Sequence, residues 1–409
     1  MKMHRMRGRA ASGFSLIELL VSMVIALVVT LAITSVLVRS EGSKRSTTSV
    51  NDVSQTGAYV AYVMDRTIRS AGSGYSQNWL DAFGCVIDAS SGGATILPLP
   101  AALDPPFALV PLKVRLAPIV IGKGMADTGG QVRGDVLTVM AGMAGASAQP
   151  QAVSPPFAAS TIRMTNALGY QPNDLVLVAD QDMSTFLARG CKLEQVASAA
   201  ASVGADQLAL GGAQYSRDAG TVVGLAQLVA STSPIAIQMG NVPAVAGNPS
   251  NPPQMLLYGV GDNNTLNSFD LLRVGLPANT RTPTPIADGV VEMRALYGVD
   301  TTVPSPDGSV DAWIDPANAG AGFTRALLTN GSIASQLNLR RISAVRIGLI
   351  LRTSLQERDP VNPPGTTLTL FGDLPVALQQ TRVLAGDELF FRYRTVEFTV
   401  PLRNPLYAP

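Results

Sequence analysis

Hydrophobic and polar positions along the chain fall into three successive patterns. From Phe14 to Val38 apolar residues run almost unbroken, about 25 positions whose only charge is Glu18. A helix needs roughly 20 apolar residues to cross the hydrocarbon core of a bilayer, so this stretch predicts a membrane span. Arg39, Glu41, Lys44 and Arg45 follow, the polar shoulder expected where a helix leaves the membrane. Val50, Val53, Gly57, Val60, Met64 and Ile68 then recur at steps of three or four, which describes one apolar face of a helix. Gly72-Ser73-Gly74 stops it, and the first proline is Pro98. Nothing therefore interrupts a helix from Phe14 to about Ala71, which at 1.5 Å per residue would be about 85 Å long.

From Tyr75 onward the pattern shortens. Asp135–Met140, Leu175–Ala179, Met255–Val260, Val290–Tyr297, Ile342–Arg352 and Leu389–Leu402 are β-prone runs separated by clusters of Pro, Gly, Ser and Ala. Ile342–Arg352 alternates cleanly, with Val345, Ile347, Leu349 and Leu351 on one face and Arg346 and Arg352 on the other, which predicts a half-buried strand. The stretches Ala141–Ser160, Val242–Pro253 and Val303–Gly322 read as loops or insertions. The fold expected is α+β: a long N-terminal helix, transmembrane in its first half, with its second half packed on a large antiparallel β-rich domain. The expected organisation is a leader at 1–13, the helix at 14–71 with the span at 14–38, and a β-rich domain at 72–409.

Glu18 is the anomaly of the span. A carboxylate at membrane depth costs on the order of 2.5 to 3.5 kcal/mol even on lenient insertion scales, so its partner has to be found. No Lys or Arg lies between Phe14 and Val38. The remaining local partner is an amino group made by cutting the chain between Gly13 and Phe14, which would stand at the i, i+4 spacing from Glu18 where groups share a helix face. In an assembly the same pair could form between copies. A secretory signal peptide would have a shorter apolar region with a small-residue cleavage site after it, and a plain signal anchor gives no reason for Glu18.

Charge and composition narrow the chemistry. Lys2, Arg5, Arg7 and Arg9, with no acid before Gly13, keep the leader cytoplasmic under the positive-inside rule. Removing it takes four of the 30 basic and none of the 29 acidic residues, leaving a formal side-chain charge of −3, which does not recommend a nucleic-acid surface. The leader also holds His4, the only histidine. The processed chain would have none, which excludes Ser-His-Asp and Cys-His catalysis and histidine-ligated zinc.

Gly13-Phe14-Ser15-Leu16-Ile17-Glu18, behind a short basic leader and before an apolar helix, resembles the class III signal of type IV prepilins and type II secretion pseudopilins. The resemblance implies cleavage after Gly13 by a prepilin peptidase, N-methylation of Phe14, and a role for Glu18 in pairing with the next subunit's N-terminus in a filament. It also implies the pilin architecture, a long helix whose outer half lies on a sheet. Many major pilins carry Gly and Pro inside the apolar stretch, and this chain has neither between Phe14 and Glu41.

A narrower resemblance runs along the chain. Arg66-Thr67-Ile68-Arg69-Ser70-Ala71-Gly72, a cysteine soon after, Tyr297-Gly298-Val299-Asp300 with Asp307-Gly308, Ala344–Leu349, and Thr399–Asn404 are similar to the PilW family of minor pilins. In PilW-like chains the Tyr-Gly-Val-Asp segment often continues as an Asp-rich loop that could suggest calcium. Here Thr301–Pro306 interrupt it and the alternating oxygen ligands of an EF-hand are out of register, so a turn-rich connection is expected and no metal site.

Cys85 and Cys191 lie beyond the span, on the side the topology makes periplasmic, where thiols are oxidised. Only one intramolecular pairing exists, and two separate buried thiols are the alternative. Other chemistry is thin. Gly122-Lys123-Gly124 lacks phosphate-loop spacing. Asp180 and Asp182 could be a carboxylate pair but read as a solvated turn, and Arg392 and Arg394 with Phe390 and Tyr393 read as alternation on a strand rather than a nucleic-acid strip.

The expected protein is not an enzyme and has no cofactor. It is a PilW-like minor pilin that primes or caps a type IV pilus, held in the inner membrane with its C-terminal domain periplasmic, then carried to the cell surface in the pilus. The resemblance implies prepilin peptidase, other minor pilins, the major pilin and a PilY-type tip adhesin as partners. A J-type secretion pseudopilin, which is usually much shorter, and a membrane-anchored adhesin are the alternatives, and an anchored hydrolase is the least favoured class.

Overall fold

The computed structural model describes residues 15–130, 132–143, 150–158, 161–179, 190–197, 206–212, 215, 234–242 and 250–403. The chain divides into two compact units, Met1–Asp52 and Val53–Pro409. One helix, Leu16–Arg69, has residues in both. In the first unit the described residues are helical from Leu16 on, and the side chains from Leu16 to Val38 are exposed. The second unit is a β-rich body that begins with the last turns of the helix.

In that body the helix buries Val53, Val60, Met64 and Ile68, the stripe expected of a 3.6-residue period. Val50, which the same spacing would include, is 38% exposed. Gly57 sits on the buried stripe where the helix lies close against the four-stranded sheet. A Cβ there would lie 2.9 Å from Val396 Cγ2 and 3.7 Å from Leu351 Cδ1. The helix ends at Arg69, and Gly72, at φ 78°, turns the chain so that its N–H donates to the Met140 carbonyl at 2.8 Å.

Among the described residues the strands form three main sheets and a two-stranded hairpin. A four-stranded antiparallel sheet has the order Ala312–Ile314, Val290–Val299, Ile342–Arg352, Tyr393–Pro401. A five-stranded antiparallel sheet runs Thr284–Asp288, Thr265–Asp270, Gln254–Val260, Val136–Ala141, Ile119–Gly122. The helix face, these two sheets and strands of the third share one continuous core. Tyr258 in the five-stranded sheet donates its hydroxyl to Thr67 Oγ1 of the helix at 3.1 Å.

The largest sheet has eight strands, built from residues between Val86 and Asn241. It contains a parallel pair. Val86–Ser91 runs parallel to Gly190–Gln195, with Ile87 opposite Cys191. A parallel return needs a long crossover, and the hundred or so residues between these strands supply it. Cys85 and Cys191 are joined in a disulfide across this pair, with Cα atoms 5.6 Å apart and a sequence separation of 106.

Three expectations are corrected. Ile342–Arg352 is buried on both faces rather than half-buried. Val345, Ile347, Leu349 and Leu351 face the main core, while Ile350 joins Val291, Leu296, Leu370 and Phe371 in a second cluster. The hairpin Thr367–Leu370 with Gln380–Val383 carries this cover. Arg346 holds it in place by pairing with Asp373 and with Glu397 at 2.7 Å, between the rings of Trp313 and Phe371. A charged residue that marks a solvated face in the sequence is here the fastener of a covering layer. Leu389–Leu402 is likewise not one strand: Gly386–Phe390 is a 3-10 turn, in which Glu388 accepts the Ala385 N–H, and the strand begins at Tyr393. Finally, Gln151–Ala158 and Ala312–Ile314 are strands inside stretches read as loops. In the latter, Gly298 leaves room for Trp313, whose ring atom Cζ3 would lie 3.0 Å from a Cβ there.

Two outcomes are expected from this packing. Gly57→Leu should lower the stability of the body by roughly 1–3 kcal/mol through overpacking, seen as a lower urea midpoint for the full chain in neutral detergent. Replacing both cysteines by serine should cost up to roughly 4–5 kcal/mol, the chain-entropy value for a loop of this length, read from the same unfolding curves.

Candidate functional site

Two parts of the molecule concentrate polar groups where the surroundings are apolar: the start of the helix, and the seam between the four- and five-stranded sheets.

At the helix start Ser15 and Glu18 cap one another. Glu18 N–H donates to Ser15 Oγ at 3.2 Å, and Ser15 N–H donates to Glu18 Oε2 at 3.4 Å. This is the reciprocal capping box encoded by Ser-x-x-Glu, which satisfies two of the helix's orphan donors. It folds the Glu18 carboxylate back toward the N-terminal end, where negative charge also complements the helix dipole. Farther along, every hydroxyl of the span returns to its own helix. Ser22 donates to the Leu19 carbonyl at 2.8 Å, Thr30 to Ala26 at 2.8 Å, Thr34 to Thr30 at 2.7 Å and Ser35 to Ala32 at 2.8 Å. The segment Leu16–Val38 thus leaves Glu18 as its one ionisable group, with hydroxyls satisfied as lipid requires. Gly13 and Phe14, the predicted cleavage and methylation positions, lie outside the described residues, as does His4.

The seam is an ionic ladder that sequence reading missed. Asp135, fully buried, accepts the N–H groups of Gly124 and Ala295, each at 2.9 Å, and Arg294 Nη1 at 3.3 Å. Arg294 Nε reaches Glu292 at 2.6 Å, Glu292 takes Arg382 Nη1 at 2.9 Å, and Arg382 also pairs with Glu388. Burial raises the Asp135 carboxyl above the usual carboxylate range, against the pull of Lys123 and Arg294 and of the two N–H groups. For Arg294, burial lowers and Asp135 and Glu292 raise, and the anions prevail. Beside the ladder Lys123 donates to Asp315 and to Gln380, both at 3.0 Å. Arg294 and Glu292 are two positions apart and Arg382 and Glu388 six, but the links that join the pieces, Asp135 to Arg294 and Glu292 to Arg382, span 159 and 90 positions, beyond any local pattern.

The remaining candidates are structural. Lys123 of Gly122-Lys123-Gly124 is engaged as just described. Arg392 pairs with Glu357 at 2.9 Å, and Arg394 donates to Ser54 of the helix. Asp300 accepts Thr302 N–H at 2.9 Å and Gly308 N–H at 2.6 Å, Asp307 accepts Ser309 N–H, and Asp311 accepts Thr301 N–H, so these carboxylates fold their own loop. Among the described residues no three His, Cys, Asp or Glu side chains converge as a metal would need. Asp180 and Asp182 lie outside the described residues.

Two family models match the chain. Residues 8–34 match the prokaryotic N-terminal methylation motif, and residues 257–404 match the type IV pilus-assembly protein W family, PilW. No curated protein and no solved structure matches it. The PilW match takes in the whole four-stranded sheet, its covering hairpin, two strands of the five-stranded sheet and most of a third, Gln254–Val260, whereas the described strands of the eight-stranded sheet all precede it. The chain thus carries a PilW-type domain and an N-terminal methylation motif, which relate it to type IV pilus assembly, together with an apolar N-terminal helix long enough to cross a membrane.

Replacing Arg294 by Met removes the ion pair of buried Asp135 and leaves Glu292 with Arg382 alone, and should cost about 3–5 kcal/mol at pH 7. Without the guanidinium Asp135 titrates still higher, so at mildly acidic pH the native state holds a proton the unfolded chain lacks. The deficit of the variant should therefore shrink as pH falls from 7 to 5, which paired urea midpoints at the two values would measure.

Proposed function

We propose that this chain is a minor pilin, a non-enzymatic subunit that helps prime or cap a type IV pilus. The carrying observation is the helix start, where Glu18 is the one ionisable group of a membrane-length apolar segment and is turned back toward the chain's N-terminus. Cleavage after Gly13 would leave Phe14 as the new N-terminus, one residue before Ser15, and its ammonium would stand one turn from the Glu18 carboxylate. In a bundle of such helices the same carboxylate, in a medium of low dielectric, would favour an ammonium brought by a neighbouring copy. N-methylation of Phe14 keeps that charge. The mechanism is association: apolar helices pack side by side, and one ion pair per subunit sets their register.

Support for the PilW-type role comes from the match over residues 257–404. The partners on this reading are prepilin peptidase, the other minor pilins, the major pilin and a PilY-type tip adhesin, and the location is the inner membrane before assembly and the pilus afterwards. A second reading, a membrane-anchored adhesin, draws on the eight-stranded sheet, which neither family match covers.

The test is the mass and N-terminal sequence of the protein from envelopes with and without prepilin peptidase, together with recovery of a Glu18→Ala variant in sheared pili. A methylated Phe14 N-terminus that depends on the peptidase, with Glu18→Ala processed yet missing from pili, is the expected result. An intact leader in both strains would overturn the reading.

A further inference from the structure

The charged clusters of the β body are mostly balanced. Lys123 meets Asp315, Arg294 meets Asp135 and Glu292, Arg346 meets Asp373 and Glu397, and Arg382 meets Glu292 and Glu388. One cavity departs from this rule. It holds about 210 Å³ and is lined by Lys113, Arg115 and Arg325, with Thr138 and Thr329 and an apolar wall that includes Val120. Arg115 and Arg325 are half-buried and Lys113 is exposed at the edge. No carboxylate among the described residues offsets either guanidinium. Arg115 donates Nη1 to the Gly84 carbonyl at 2.6 Å, and burial alone lowers its pKa. Burial pushes Arg325 down to about 10, opposed only by the Tyr297 hydroxyl. Both remain charged at neutral pH.

The cavity is also a built feature. Gly84, at φ 81°, approaches Gly331 so closely that a Cβ on it would lie 2.9 Å from Gly331 Cα. Its N–H donates to the Leu116 carbonyl at 2.8 Å, and Thr329 Oγ1 donates to the Arg325 carbonyl at 2.8 Å. These contacts tie the segment bearing Arg115 to the segment bearing Arg325. Two desolvated cations held together without an anion are costly, unless an anion completes the site. Planar guanidinium forks match the oxygen spacing of a phosphate, and such charge-assisted pairs are the strong ones. Two forks, an ammonium and the Thr138 hydroxyl offer more donors than the two oxygens of a carboxylate can use.

We propose that the cavity lined by Lys113, Arg115 and Arg325 binds a tetrahedral oxyanion of the phosphate class, either free phosphate or a phosphate monoester on a larger molecule. This site is built only from residues of the β body and does not depend on the filament reading. Its test is calorimetric titration of the full chain in neutral detergent at constant ionic strength, with inorganic phosphate, glycerol phosphate and acetate as probes. Saturable binding of at least one phosphate species is expected, tighter than acetate. Arg115→Gln and Arg325→Gln should each weaken it roughly tenfold or more, the scale of a lost hydrogen bond to a charged group, while the exposed Arg358→Gln leaves it unchanged. Binding of inorganic phosphate alone assigns the site to the free anion, and comparable binding of glycerol phosphate assigns it to a monoester. Should Arg325→Gln lose its near-UV circular dichroism, Arg325→Lys carries the test, since it keeps the charge without the fork and should still weaken binding. No saturable binding of either phosphate species, acetate binding as tightly as phosphate, or unaltered affinity in the arginine variants would overturn the proposal.

Discussion

The β body depends on burying one face of a helix. Val60, Met64 and Ile68 are wholly enclosed, and the core they enter is shared by strands of all three main sheets. Each such side chain contributes roughly 1.5–3 kcal/mol by leaving water, but their larger effect is geometric. Strands of all three sheets contribute to this one core, and the helix face is part of what they enclose. Gly57 sets how closely the helix may lie on strands Ile342–Arg352 and Tyr393–Pro401, and Thr67 ties its end to Tyr258.

Around this apolar centre the protein places its charges where layers meet. The ladder from Asp135 through Arg294, Glu292 and Arg382 to Glu388 runs from the approach to the five-stranded sheet, across a strand of the four-stranded sheet, to the covering hairpin and the turn after it. Buried ion pairs add little net stability against a hydrophobic alternative. They are directional, however, and here the Asp135–Arg294 and Glu292–Arg382 links join different layers, while Arg294–Glu292 lies within one strand. Arg346 does the same for the outer cover of the four-stranded sheet.

What the sequence made legible was local. The span, the continuation of the helix to within two residues of its observed end, and the strands at Leu175, Met255, Val290 and Ile342 all follow from period and composition. What it hid was non-local. Arg346 looks solvent-facing until the hairpin 367–383 is folded over it. The parallel partner of Val86–Ser91 lies a hundred residues on, beyond the reach of alternation. Glu18 was legible as an anomaly because an acid in an apolar run needs a reason. Its reciprocal bond with Ser15 adds a local one, and the two roles draw on the same carboxylate.

The bond between Cys85 and Cys191 also decides how the molecule carries load. Tension entering through the end of the helix near Arg69 and leaving through the sheets beyond residue 257 would pass across the sulfur bridge. The residues between the cysteines are bypassed. Extended, 106 residues would add roughly 350 Å of slack at 3.3 to 3.6 Å each. With the bridge closed, most of the eight-stranded sheet is a side loop of the force path, free to vary in shape without letting the chain lengthen.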